Sequence, residues 1–281
     1  VKSFWNLKDK NKKNIITFKG AFHGRTFAAL SAQKNKKYSD GFRPLLGGFI
    51  NIPFNDEQSL KKNINKKTAA ILIEPVQGEG GISPASLQFL KYIRDICDRN
   101  NILFFLDEVQ SGFGRSGKLY SYEWAKIKPD ILATAKGIGS GFPLGACLST
   151  KEASIGMVQG KHGSTYGGNP LAISVGREVL KIVSEKSFLK KVDFMSRYLW
   201  KNLKMLENKY NEIIEIRGAG LLLGIKTKQN NVMIANKLKK NKLLSVPAGD
   251  NVIRLAPPLI INKNHVDEAL SILDKTFKKI I

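Results

Sequence analysis

Cysteine, histidine and acidic residues are all scarce in this chain. Its two cysteines, Cys97 on an apolar helical face and Cys147 near a strand, read as reduced core thiols of a cytoplasmic protein. Neither has neighbours that would complete a metal site. The three histidines, His23, His162 and His265, lie far apart, so no metal centre is expected. No apolar stretch is long enough to span a bilayer, and no signal-peptide pattern is present. Internal repeats and low-complexity linkers are lacking as well. Acids number 23 against 46 lysines and arginines, a net charge of +23. Such an excess raises nucleic-acid binding, because phosphate contacts release counterions. The lysines, however, are spread over segments such as 8–13, 34–37 and 237–242, often beside asparagine, and are not interleaved with aromatics. A compositional bias explains them better than a nucleic-acid partner, with a modest pull on anionic substrates as by-product.

What is present is a globular pattern. With 281 residues, 42% of them hydrophobic, the chain can bury a large domain, expected over 1–185, and a smaller one over 186–281. Ala69-Ala70-Ile71-Leu72-Ile73 and Ile102-Leu103-Phe104-Phe105-Leu106 are continuous apolar runs of the kind found in strands covered on both faces. Between them Leu87, Leu90, Ile93, Ile96 and Cys97 recur at helical spacing, with Ser83 or Ser86 as N-cap. A strand, a helix and a second strand predict a parallel sheet. Glu74, Asp107 and Lys136 then fall at the carboxyl ends of strands, where such sheets bind ligands. In the C-terminal part the spacing predicts a long helix through Phe188, Val192, Met195, Leu199, Leu203 and Leu206. Strands over 213–217, 221–225 and 252–255 and helices over 232–238 and 266–277 complete a small α/β domain.

Lys136 ends the apolar run Ile131-Leu132-Ala133-Thr134-Ala135 and precedes Gly137-Ile138-Gly139-Ser140-Gly141. A lysine partly desolvated at a strand end favours its neutral amine, a nucleophile able to form a Schiff base. An acid and a lysine on neighbouring strands also suit pyridoxal phosphate: the amine takes the aldehyde, and the carboxylate keeps the pyridine nitrogen protonated. Phe22-His23 offers a ring to stack on a flat heterocycle. Ser164-Thr165-Tyr166-Gly167-Gly168 offers hydroxyls and open backbone N–H groups to oxyanions.

Five ordered segments carry a family resemblance. Phe22-His23-Gly24-Arg25-Thr26, Glu74-Pro75-Val76-Gln77-Gly78-Glu79-Gly80-Gly81, Asp107-Glu108-Val109-Gln110, Ala135-Lys136-Gly137 and His162-Gly163-Ser164-Thr165-Tyr166-Gly167-Gly168-Asn169-Pro170 resemble the class III pyridoxal-phosphate aminotransferases. The resemblance implies a fold type I transferase, an α/β protein with a mostly parallel sheet in the large domain. It implies that Lys136 binds the cofactor covalently and shuttles the proton, and that Asp107 partners the pyridinium. Phe22 is implied to stack on the ring, and Glu108, Val109 and Gln110 to line the cofactor, Gln110 near the ring oxygen. Thr165 is implied as a phosphate ligand donated across a homodimer. Arg25 and Ser164 are implied as substrate contacts, and Glu79 and Arg254 as a pair that lets one pocket take an amine donor and then a dicarboxylate.

Within the class, the motifs are most similar to those of enzymes acting on N2-acetylornithine and 2-oxoglutarate, giving N-acetylglutamate 5-semialdehyde and glutamate in arginine biosynthesis. Ornithine, succinylornithine, succinyldiaminopimelate and 4-aminobutyrate are the alternative donors, and a non-catalytic truncated remnant is the alternative of another kind. The resemblance further implies a Ser-Gly-Ala phosphate loop ahead of Phe22. No counterpart stands there, and the chain begins with Val1, so an N-terminally truncated chain is expected.

Overall fold

The computed structural model describes residues 1–280. Along the chain the strands are β1 (Asn14–Phe18), β2 (Phe49–Ile52), β3 (Thr68–Ile73), β4 (Val76–Gln77), β5 (Ser83–Pro84), β6 (Leu103–Asp107), β7 (Ile131–Thr134), β8 (Ala146–Ser149), β9 (Ile213–Ala219), β10 (Leu222–Thr227), β11 (Val246–Ala248) and β12 (Val252–Leu255). The helices are α1 (Lys2–Lys8), α2 (Phe27–Gln33), α3 (Lys36–Ser39), α4 (Glu57–Asn63), α5 (Leu87–Asn100), α6 (Tyr122–Ala125), α7 (Pro170–Val183), α8 (Lys186–Lys209), α9 (Asn231–Lys240) and α10 (Lys263–Lys278).

These elements divide into two compact units. The first holds Val1–Pro75, Ala85–Gln110 and Ser121–Lys181, and the second holds Val76–Pro84, Ser111–Tyr120 and the chain from Ile182 on. The boundary between these units falls after Lys181, and two short excursions go with the second unit. Packing and hydrogen bonds explain both. Val76 and Ile82 are buried with Leu222 and Val252. Arg115 donates to the carbonyls of Leu221 at 3.2 Å and Pro257 at 2.5 Å, and burial pulls its pKa down to about 10.

In the first unit one sheet runs in the order β2-β1-β3-β6-β7-β8. Every pairing is parallel except that of β7 with β8. All of β3 is buried, as a strand covered on both faces should be. Alternation sorts its side chains: Ile71 and Ile73 join Phe104 and Leu106 in one core, Ala70 and Leu72 join Leu103 and Ile131 in another. α5 covers the first of these cores. Its N-cap is Ser86, whose hydroxyl accepts from the Phe89 N–H at 3.0 Å, while Ser83 lies in β5. Phe89, Leu90, Ile93, Ile96 and Cys97 form the buried face, whereas Leu87 is exposed because it stands at the first helical turn, off that stripe. Each large side chain buried there stabilises by about 1.5–3 kcal/mol relative to exposure. Cys147 corrects the expectation of two core thiols. It lies on β8, an edge strand whose four side chains are all exposed.

The second unit carries an antiparallel sheet in the order β11-β12-β10-β9. α8 lays Val192, Met195, Leu199, Leu203 and Leu206 into a core with Leu223, Ile225 and Ile253 from the sheet and Leu273 and Phe277 from α10. The helical spacing read from the sequence marks that face. β11 was not anticipated, because Pro247 interrupts it. It is an edge strand, where a proline is tolerated.

Candidate active site

β3, β6 and β7 lie side by side and point the same way, with Ile73 opposite Leu106 and Asp107 opposite Ala133. Glu74, Asp107 and the turn bearing Lys136 therefore leave the same edge of the sheet. Two carboxylates there organise the segment after β1. Glu74, only 6% exposed, accepts from the Phe22 N–H at 2.8 Å. Gln33 of α2 accepts from the His23 N–H at 2.8 Å. With its backbone fixed at two successive residues, His23 places Nδ1 2.8 Å from Asp107 Oδ2. The other oxygen, Oδ1, accepts from the Val109 N–H at 3.1 Å.

The His23 ring is almost wholly buried, and its Nε2 has no partner among the described residues. Burial alone pushes the imidazole pKa down. The hydrogen bond it donates to Asp107 and the charges of Glu74 and Asp107 outweigh that effect and raise it above the ordinary value. His23 as the partner of Asp107 was missed from sequence: the two are 84 positions apart, and only adjacency to Phe22 marked the residue.

Phe22 is half-buried and meets Tyr38 of α3 edge to face, with ring centroids 5.5 Å apart. The Arg25 guanidinium lies 4.3 Å from the Tyr38 centroid and 5.6 Å from that of Phe22. Among the described residues no carboxylate pairs with Arg25, so two rings orient a cation that remains open to an anion. Tyr38 carried no signal in the sequence, since a lone tyrosine in a lysine-rich stretch reads as ordinary surface.

Lys136 follows β7 by two positions and opens a 3-10 turn, Lys136–Gly139. Its φ is +47°, a left-handed conformation that costs a non-glycine residue about 1–3 kcal/mol and recurs at functional sites. The side chain is exposed, which corrects the expectation of a partly desolvated lysine. Glu108 is engaged with the backbone. Its carboxylate is buried and accepts from the N–H groups of Ser121 and Tyr122, each at 3.0 Å, fastening the return of the chain after the 111–120 excursion. Val109 and Gln110 are half-buried beside Asp107. Ser164 and Thr165 are exposed, and among the described residues neither side chain is hydrogen-bonded.

Within the second unit, Arg254 of β12 and Glu79 of the β4–β5 hairpin form an ion pair, Nη1 to Oε1 at 2.7 Å. The arginine side chain is 11% exposed and the glutamate 34%. The sequence named both residues, and folding brings them together across 175 positions.

A family model described as aminotransferase class-III matches residues 2–277. The chain belongs to this family. Among curated class-III relatives, the acetylornithine aminotransferase of Brucella melitensis biotype 1 is 49% identical over 267 residues, covering 95% of this chain and 66% of the relative. The chain thus spans slightly less than two thirds of that relative's length. An ornithine aminotransferase structure from Toxoplasma gondii ME49 superposes with a TM-score of 0.94 at 30% identity, covering 99% of this chain and 68% of the other. A PLP-bound amine transaminase structure from an uncultivated Pseudomonas species gives 0.90 at 27% identity, covering 99% and 72%. The class-III fold, a mostly parallel sheet with flanking helices and a smaller second unit, is the one described above.

Proposed function

We propose that this chain carries the active-site core of a pyridoxal-phosphate-dependent transaminase that moves the terminal amino group of N2-acetylornithine to 2-oxoglutarate. The products are N-acetylglutamate 5-semialdehyde and glutamate, a step of arginine biosynthesis. One observation carries the reading: a buried carboxylate, Asp107, braced by His23 at the end of β6, beside the strand that delivers Lys136. The curated relatives at 49–50% identity named acetylornithine aminotransferase support the donor.

The residues present fit pyridoxal 5′-phosphate: an amine, a half-buried ring and a buried carboxylate backed by an imidazole whose pKa its acidic neighbours raise. When bound, the cofactor supplies an aldehyde to take the amine and a protonated ring that withdraws electrons from the reacting carbon. Lys136 Nζ takes the proton from that carbon and returns it. Asp107 would keep the ring nitrogen protonated, with His23 bracing its carboxylate. Phe22, Gln110 and Val109 would hold the ring. Arg25, held by Tyr38 and Phe22 and paired with no acid among the described residues, takes the substrate carboxylate through its flat fork. Glu79 neutralises Arg254 while the amine donor is bound and frees it for the second carboxylate of 2-oxoglutarate. Ser164 reads substrate, and Thr165 serves a phosphate in the partner subunit of a cytoplasmic homodimer. The exposure of both residues here supports that assignment. Two substrates sharing one pocket in turn predict ping-pong kinetics.

The similarity to the Toxoplasma gondii structure favours ornithine as the second donor to consider. The test is the visible spectrum of the chain mixed with pyridoxal phosphate, with Lys136→Ala as control. A band that requires Lys136 and bleaches with N-acetylornithine is the expected result. Bleaching by ornithine alone supports the second donor, and no Lys136-dependent band overturns the reading.

A further inference from the structure

The hairpin that carries Glu79 is held in a conformation its sequence does not favour. Gly81 has φ +102°, and the next residue, Ile82, has φ +53°. A β-branched residue in the left-handed region is an outlier that persists only when its surroundings over-determine it. Ile82 is fully buried against Val76, Leu222 and Val252, and the room it occupies exists because Gly218 and Gly224 carry no side chain. A Cβ on Gly224 would stand 3.0 Å from the Ile82 Cβ, and one on Gly218 would stand 3.1 Å from Ile82 Cγ2.

The tip itself is gripped from β9 and from the turn after β11. Arg217 Nε donates to the Gly81 carbonyl at 2.8 Å. The same guanidinium is fixed by Asp250 at 2.8 Å and Glu215 at 3.3 Å, and Lys226 holds Asp250 from its other side at 2.9 Å. The Gly249 N–H donates to the Glu79 carbonyl at 2.9 Å. The fit is tight, since a Cβ on Gly81 would lie 2.6 Å from the Gly249 oxygen and 2.7 Å from Arg217 Nη2. Three residues of tip, 79–81, are thus bonded at both ends while the Glu79 side chain reaches Arg254.

We propose that Arg217 is a positioning residue that clamps the hairpin tip through the Gly81 carbonyl, so that Glu79 is presented to Arg254. The clamp thereby sets how readily the pair opens. This consequence rests on the function proposed for Glu79 and Arg254, whereas the clamp does not.

The test compares amide hydrogen exchange in the full chain with that in its Arg217→Met and Gly81→Ala variants. Removing the clamp is expected to speed exchange in segment 76–84 and at Gly249 by about tenfold or more, with β10 and β12 still protected. Unchanged exchange in 76–84, or a rise shared equally by β10 and β12, overturns the clamp. With cofactor added, the ratio of kcat/KM for the amine half-reaction to that for the 2-oxoglutarate half-reaction is expected to fall about tenfold in Arg217→Met, because a loosened Glu79 leaves Arg254 unmasked. A loosened hairpin with an unchanged ratio overturns the link to substrate choice. A parent chain without transamination overturns the proposed function, and exchange alone then judges the clamp.

Discussion

His23 Nδ1 lies 2.8 Å from Asp107 Oδ2, and the two groups are shut away from solvent together. The imidazole has Glu74 and Asp107 as neighbouring charges, and they raise its pKa against the opposing effect of burial. A group whose pKa is raised by folding adds stability that is full below its unfolded value, about 6.5, and fades as pH rises through the folded value. His23 should therefore titrate above the ordinary imidazole value in a carbon-detected imidazole NMR titration, and His23→Gln should remove the fall in stability between those two pH values. Titration of His23 at or below about 6.5 would contradict the raised pKa.

Arg25 sits on two aromatic rings with no acidic partner among the described residues, so its role depends on the flat, delocalised fork. Arg25→Lys keeps the charge and loses the bidentate geometry. The expected result is a rise in KM for carboxylate-bearing donors of roughly ten- to hundredfold, as for loss of a charged hydrogen bond, with kcat moved less. An unchanged KM would remove Arg25 from the substrate site.

Glu108 is placed to fasten the backbone, and stability should report that. Glu108→Gln leaves one of the Ser121 and Tyr122 N–H groups without an acceptor, at a cost of about 1–3 kcal/mol in urea unfolding. Affinity for pyridoxal phosphate, read by the visible band, should change little. A large loss of affinity at unchanged stability would return Glu108 to the cofactor site.

Ser86 caps the helix that joins β3 to β6. Ser86→Ala should cost about 1 kcal/mol, while Ser83→Ala, in a half-buried hairpin strand, should leave the helix cap intact. Equal effects from the two changes would argue that the helix begins elsewhere.

The sequence determined the elements and the chemistry to look for. Apolar runs set the strands that hold Ile71, Phe104 and Leu132, helical spacing set the buried face of α8, and motif order named Asp107, Lys136, Glu79 and Arg254. Those signals are local, carried by neighbours within a turn or a strand. The tertiary structure decided which distant groups meet and how each side chain is turned. It paired Asp107 with His23 and Arg25 with Tyr38, and it turned Glu108 to the backbone of residues 121 and 122. It left Lys136 and Cys147 exposed and gave residues 76–84 to the second unit. None of these has a spacing rule, because each depends on where the ends of separate strands and helices converge once the cores are packed.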